Sequence, residues 1–390
     1  MLAAARRVLS AWTTRGARSA VAPDPGPAVL SVLVAEAPGA SVSDHRTSHD
    51  AIHAWLRGTG RGTRGVALFG GLAGVLAGQR LISDLYPSVA PAAERTAARL
   101  SRATAHRRWR ASDVGFDDYD LLSGPAGLLL AHLVGNVPPR PGELAPCVSR
   151  LAELGSDADL TGFRIGAQEH PLGGWTRGGI VTGLAHGVAG ALAALSAAPR
   201  GDRVTVRAIR NMACWLVAQR RQDDRGVAWW PRQVRAWDEP RRGEPRHHGW
   251  CRGSPGISWA LWAAGRALRW TDPAESRSLC EIGLSSFRTV CAVYEEAGQL
   301  GETSLSDRLA ICHGAAGVLL VADAFARHAA LAPAAALRSE LAGLLRNRLG
   351  DIAELGESDA TLLTGATGVL AGLLTAGGAG RSWLRCTGLY

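Results

Sequence analysis

The sequence predicts an all-α protein, an α/α toroid (a double-layered helical barrel) of six to seven helix-pair repeats. Six Gly-x-x-Gly steps recur along the chain, at Gly71/Gly74, Gly124/Gly127, Gly187/Gly190, Gly253/Gly256, Gly314/Gly317 and Gly365/Gly368, spaced by 51 to 66 residues. Each step opens a short run rich in Ala and Leu, such as Val75-Leu76-Ala77 or Val318-Leu319-Leu320-Val321, which suits a buried helix better than a strand. Longer, more charged stretches lie between the runs. A unit of this length has room for one buried inner helix and one amphipathic outer helix, and stacked pairs of that kind close into a ring.

Taken in order, the first 22 residues lack acids and are rich in Ala, Arg and Ser, which superficially resembles a transit peptide. The plainer reading is a frayed start or a first amphipathic helix, so residues 1–27 are set apart as an N-terminal segment and 28–390 as one toroid domain. Residues 28–60, with Ile52-His53-Ala54-Trp55-Leu56, offer a degenerate seventh unit. Outer helices are expected over Ala92–Arg108, Val204–Arg220, Pro273–Tyr294 and Pro333–Leu349. In the last two, proline falls in the first turn, where its missing N–H costs nothing. Loops are expected at Asn136–Gly142, which carries three prolines, at the Gly-rich Gln168–Gly183, and at 221–249, dense in Arg and Pro with Trp229-Trp230-Pro231 and Trp237. Long loops on a rigid scaffold are where specificity sits, although tryptophans there serve packing as readily as a substrate cleft.

Bulk properties narrow the class. The chain has 390 residues, 47% of them hydrophobic, and no apolar run of about eighteen residues that would cross a membrane. The formal charge is +9, and all the basic residues are Arg. Such an excess favours acidic partners, for example an acidic peptide segment, but no nucleic-acid motif accompanies it. Seven widely scattered cysteines, an odd number, argue against a disulfide framework and for a reducing, cytoplasmic setting.

The chemistry lies in the two positions before each first glycine. They read Phe69-Gly70, Leu122-Ser123, Ala185-His186, Cys251-Arg252, Cys312-His313 and Leu363-Thr364. Four of these twelve are Cys or His. The whole chain holds only 7 Cys and 11 His in 390 residues, so chance places fewer than one there. A lone His or Cys in such a place is usually a core residue; four in three consecutive repeats point to a shared site on the axis. Cys251, Cys312 and His313 make a two-sulfur, one-nitrogen set for a single Zn2+ with a fourth position open, as a catalytic rather than a structural zinc requires. Two thiolates make that ion a weak Lewis acid and a good holder of a third thiolate, suited to activating sulfur. His186, in the preceding repeat, is free to move a proton near neutral pH, and Asp120, four residues before Gly124, is placed to orient it, with Asp117 and Asp118 as weaker rivals.

The chain here resembles the lanthionine synthetase C-like family, the lanthipeptide cyclases. The likeness rests on Gly183-Leu184-Ala185-His186-Gly187-Val188-Ala189-Gly190, Trp250-Cys251-Arg252-Gly253-Ser254-Pro255-Gly256 and Cys312-His313-Gly314-Ala315-Ala316-Gly317, with Tyr119-Asp120-Leu121-Leu122-Ser123-Gly124 matching the family's aspartate-bearing repeat. The resemblance implies an α/α toroid with zinc on Cys251, Cys312 and His313. It implies Michael-type addition of a peptide cysteine to dehydroalanine or dehydrobutyrine, with His186 managing the proton and Asp120 supporting it. The implied partner is a dehydrated precursor peptide, leader plus core, delivered by a separate dehydratase. Two positions depart from the family pattern. Arg252 stands where a tyrosine is usual, and an arginine expected before Trp250 is replaced by Arg246-His247-His248. Arg246 or Arg252 is then a candidate to stabilise the enolate, and His247 to share the proton work.

Other readings make different demands. Another toroidal zinc enzyme activating a thiol, for glutathione addition or prenyl transfer, is an alternative; a prenyl enzyme would show an Asp-x-Cys pair and a more aromatic funnel than 6% aromatics provides. A non-catalytic peptide-binding toroid would tolerate loss of His186. A glycoside-processing toroid needs paired carboxylates in the central slots, which hold none.

Overall fold

The computed structural model describes residues 1–16, 24–59, 63, 65–166, 176–199, 202–235, 248–294 and 304–390. Among the described residues seven inner helices form a closed ring: α2 (Gly26–Ala35), α4 (Leu72–Leu85), α6 (Pro125–His132), α8 (Val188–Ala197), α10 (Ser254–Leu268), then Ala315–His328 and Ala366–Ala376. Each packs on the next, and the last returns to α2. Apart from their C-terminal turns, where Arg266, Arg327 and His328 are exposed, they are mostly apolar and buried, as helices enclosed between a central axis and an outer layer must be. Outer helices α3 (Val42–Thr59), α5 (Ala90–Ala105), α7 (Ala145–Leu154), α9 (Arg203–Gln219), α11 (Pro273–Cys291) and Ala332–Asn347 follow the first six inner ones. Helix α5 starts and ends slightly earlier than its sequence window, because Pro91 falls in its first turn and His106 caps its end. The seventh pair is α2 with α3, so the ring has seven repeats. Inner helix Ala366–Ala376 finds its outer partner at the other end of the chain: α1 (Leu2–Gly16) packs on it, on α2, on α3 and on Leu349–Ser358. Ala5, Val8 and Leu9 of α1 are fully buried in the common core.

The glycine steps have a steric cause. The first glycine of each is the residue before the inner helix, and five of the six are in extended backbone that any residue adopts. Gly253 differs, with φ +113°, where a side chain would be strained. The second glycine is a close approach. A Cβ at Gly74, Gly127, Gly190, Gly256, Gly317 or Gly368 would collide with the carbonyl oxygen six residues earlier in the same repeat. The first turn of each inner helix therefore presses directly against the strand-like segment that carries the slot residues.

Those segments are tied to one another around the axis. Leu68 N–H donates to the Leu122 carbonyl (3.0 Å), Leu121 to Ala185 (3.1 Å), Ala185 to Cys251 (3.0 Å), Cys251 to Cys312 (3.2 Å) and Cys312 to Leu363 (2.9 Å). Leu362 N–H closes the set on the Asp24 carboxylate (2.7 Å). This belt satisfies backbone groups that are buried where the repeats meet, and it fixes the slots relative to each other.

Two features lie outside the repeat. Two short antiparallel pairs, Ile180–Val181 with Gln233–Val234 and Arg221–Gln222 with Ala228–Trp229, order the loop before α10. Trp230 there is buried and donates to the Leu216 carbonyl, so it serves packing; Trp237 lies outside the described residues. The final segment, including the 3-10 turn Ser382–Thr387, runs inside the ring. Trp250 and Trp259 donate to the Thr387 and Gly388 carbonyls (2.8 and 3.0 Å), and the Tyr390 hydroxyl donates to the Ala193 carbonyl. Gly388 sits against Leu121 and Leu184, just beneath the slot layer, so the tail fills the axis from the far end. Among the described residues no helix is long and apolar enough to cross a membrane, and all seven cysteines are unpaired.

Candidate metal centre

The slot residues of three consecutive repeats converge. The ligand atoms of Cys251, Cys312 and His313 all lie within 4.8 Å of one another, and Cys312 Sγ is 3.9 Å from His313 Nε2. Adjacent ligands cannot share an ion inside a regular helix, where neighbouring side chains diverge. Here Cys312 and His313 precede Gly314 in non-helical chain, and the belt bonds Cys251 N–H to Cys312 O and Cys312 N–H to Leu363 O hold both segments. A tetrahedral zinc with Zn–S about 2.3 Å and Zn–N about 2.1 Å sets ligand–ligand edges of about 3.6–3.8 Å. The observed separations need only a small contraction to reach that, so the donor set fits the ion in number, type and spacing.

The protonation pattern agrees. A hydrogen bond from the Cys251 thiol, with help from His313, draws the Cys312 thiol well below its ordinary range. Cys251 is pushed up, first by donating that bond and then by burial. His313 is raised, chiefly by its contact with Cys312. The two thiols are thus pushed in opposite directions by the bond they share. His313 turns Nε2 toward Cys312 and leaves Nδ1 3.5 Å from Asp307 Oδ1. A carboxylate behind a ligating histidine is the usual outer partner of such a site.

His186 occupies the same slot one repeat earlier. Its Nδ1 is 2.6 Å from Asp120 Oδ2, a short charge-assisted contact, which leaves Nε2 as the working nitrogen. Asp120 is fully buried. Its other oxygen accepts from Ser123 N (2.7 Å) and Gly124 N (2.8 Å), so one carboxylate both closes the turn before α6 and holds the histidine. The position four residues before the glycine follows from that double duty. Asp118 is taken up by Arg110 and Gly115 N, and Asp117 pairs with Arg107, which removes both rivals. Two further contacts fix His186: the Phe116 ring stacks on it (centroids 4.4 Å, 29° between planes), and the Tyr119 hydroxyl donates to its carbonyl (3.0 Å).

Arg252 lies beside Cys251, and its buried Nε has no hydrogen-bond partner among the described residues. Neither His247 nor Arg246 falls among the described residues. The inner helices that follow the glycine steps begin at the site's end of the ring, so their aligned peptide dipoles add partial positive charge there. Sequence reasoning overlooked Phe116, Tyr119 and Asp307, whose contacts are made across space. A weak signal existed for Phe116, which stands one helical turn before Asp120.

The family model for the lanthionine synthetase C-like protein matches residues 25–382. The chain belongs to the lanthionine synthetase C-like family. A solved structure titled nisin cyclase superposes with a TM-score of 0.80 at 18% sequence identity, covering 98% of this chain and 96% of that one. At that identity the match speaks to the fold, and it shows the helical toroid. No match was found among curated proteins. Within the lanthionine synthetase C-like frame, the Cys251, Cys312 and His313 cluster sits where a metal can be held at the mouth of the ring.

Proposed function

We propose that this chain is a zinc-dependent lanthipeptide cyclase, closing thioether rings in a dehydrated precursor peptide. The observation that carries the reading is the juxtaposition, in adjacent slots of one belt, of a Cys–Cys–His ligand set and a histidine backed by a buried carboxylate. Family membership supports it. Cys251, Cys312 and His313 would hold one zinc, which supplies a Lewis acid that lowers a substrate thiol's pKa while leaving the sulfur nucleophilic.

The chain's own residues handle the rest. In the reaction a peptide Cys thiol adds across the double bond of dehydroalanine or dehydrobutyrine. The thiol's proton passes to water, sulfur bonds to the β-carbon, and the π electrons move onto the adjacent amide carbonyl as an enolate. The α-carbon then takes up a proton, so mass and oxidation state are unchanged. His186, as the imidazolium, delivers that proton from Nε2 and regains one from water, and Asp120 holds the ring in position through its Nδ1–H. Arg252 offers its buried Nε donor, and the inner-helix N-termini their partial charge, to the enolate oxygen. The substrate is a leader-plus-core peptide supplied by a dehydratase.

The test is direct. Zinc-loaded protein incubated with a dehydrated, cysteine-bearing precursor should consume free thiols, read by alkylation, without a change in peptide mass. Cys312→Ala should abolish the consumption. Persistence of the thiols with the zinc-loaded parent refutes the reading.

A further inference from the structure

Away from the ring's mouth, the outer helix α3 carries His45, His49 and His53 one turn apart on a single exposed face. The His49 and His53 rings meet with centroids 4.3 Å apart and planes inclined by 56°, and their two Nε2 atoms are 3.1 Å apart. Both rings therefore aim the same nitrogen at one point in solvent. Asp50 stands 3.8 Å from His49 Nδ1 and Tyr86 is edge-on to the His49 ring at 6.3 Å. Tyr86 closes the C-terminal end of α4, the end opposite Gly71, so this pair is remote from the slots.

We infer that His49 and His53 form a second, surface metal site, a two-imidazole chelate for a divalent transition ion of the nickel–copper–zinc group. An ion bonded to both nitrogens at about 2.0–2.1 Å would subtend an N–metal–N angle of about 95–102°, from the observed separation. That lies between the cis angle of octahedral or square geometry and the tetrahedral one, which suits ions that imidazole prefers. Spacing of four residues on a helix places two histidines on one ion without backbone movement, as in helical zinc motifs. Without the ion one Nε2 carries the hydrogen that bridges the pair. Binding moves that proton through solvent to Nδ1 of the same ring, so both Nε2 lone pairs coordinate and no net charge is lost from the rings. Asp50, 3.8 Å from His49 Nδ1, keeps a negative charge beside that ring. Water completes the shell.

The experiment uses the full chain already loaded with zinc at its cysteine site. Isothermal titration with nickel chloride should show one additional equivalent bound. His53→Ala and His49→Gln, both at exposed positions, should weaken that binding at least about tenfold, because each removes one arm of the chelate. Zinc content should stay at the parent level in both. The inference is overturned if no additional equivalent binds, or if both variants take nickel as tightly as the parent. Neither outcome bears on ring closure.

Discussion

Replacing Asp120 by Asn separates the carboxylate's two tasks. Asn keeps its one oxygen for the Ser123 and Gly124 amides and then presents an NH2 group to His186. The lost interaction is a charge-assisted bond of 2.6 Å to a fully buried carboxylate. Such bonds contribute about 1.5–3 kcal/mol. At about 1.4 kcal/mol per tenfold, ring closure should slow by roughly 10- to 150-fold, because the ring that donates the proton is no longer held by a carboxylate. Stability should change little. Asp120→Ala is the contrast, since it also leaves two buried amides without an acceptor, at about 1–3 kcal/mol each. The assay is the initial rate of thiol loss from a dehydrated peptide at fixed zinc occupancy, alongside thermal melting. A rate for Asp120→Asn within about threefold of the parent, with zinc and melting unchanged, refutes the role given to the His186–Asp120 pair.

Three further expectations can be checked separately. Zinc-edge X-ray absorption of the purified chain should show two sulfurs at about 2.3 Å and nitrogen at about 2.0–2.1 Å, and Cys251→Ala, Cys312→Ala and His313→Ala should each lower zinc per chain. Gly317→Ala forces a Cβ onto the Ile311 carbonyl and the Trp250 side chain and should cost several degrees of melting temperature or prevent folding. Gly343→Ala, in open space within the outer helix Ala332–Asn347, should instead stabilise by about 0.5–1 kcal/mol. Burial raises the Asp24 carboxyl from 3.8 to about 6 against the amides of Gly26 and Leu362. Between those values the folded chain holds more protons than the unfolded one, so the group's contribution to stability is fully present below the unfolded value and is lost as pH rises through about 6. Asp24→Asn keeps the accepting oxygen, and its melting temperature should exceed the parent's at pH 7.5 and converge with it below pH 4. A constant gap across that range contradicts the linkage.

Much of this architecture was legible in the residues because its cause is local. A glycine that must admit a carbonyl six residues back leaves a periodic mark, and Gly74 through Gly368 announce the six inner helices they open. The slot residues were legible for the same reason, since alignment on the glycines superposes positions that the belt later joins. What escaped depends on contacts between distant segments. Nothing periodic in Trp383, Leu384, Cys386 and Leu389 reveals that they enter the ring, because the tail has no repeat to align with. Helix α1 completes the layer beside the last inner helix only because the ring closes, which composition does not encode. Phe116 and Asp307 earn their places through the side chains they touch, His186 and His313, and spacing alone does not distinguish them from other loop residues.

The most direct test compares the parent and His186→Ala, both carrying zinc, on one dehydrated precursor peptide by counting alkylatable thiols over time. The parent should consume thiols at constant peptide mass, and His186→Ala should retain the metal while losing at least about 100-fold in rate, as expected when a positioned general acid is removed. Equal rates for the two proteins would contradict the account.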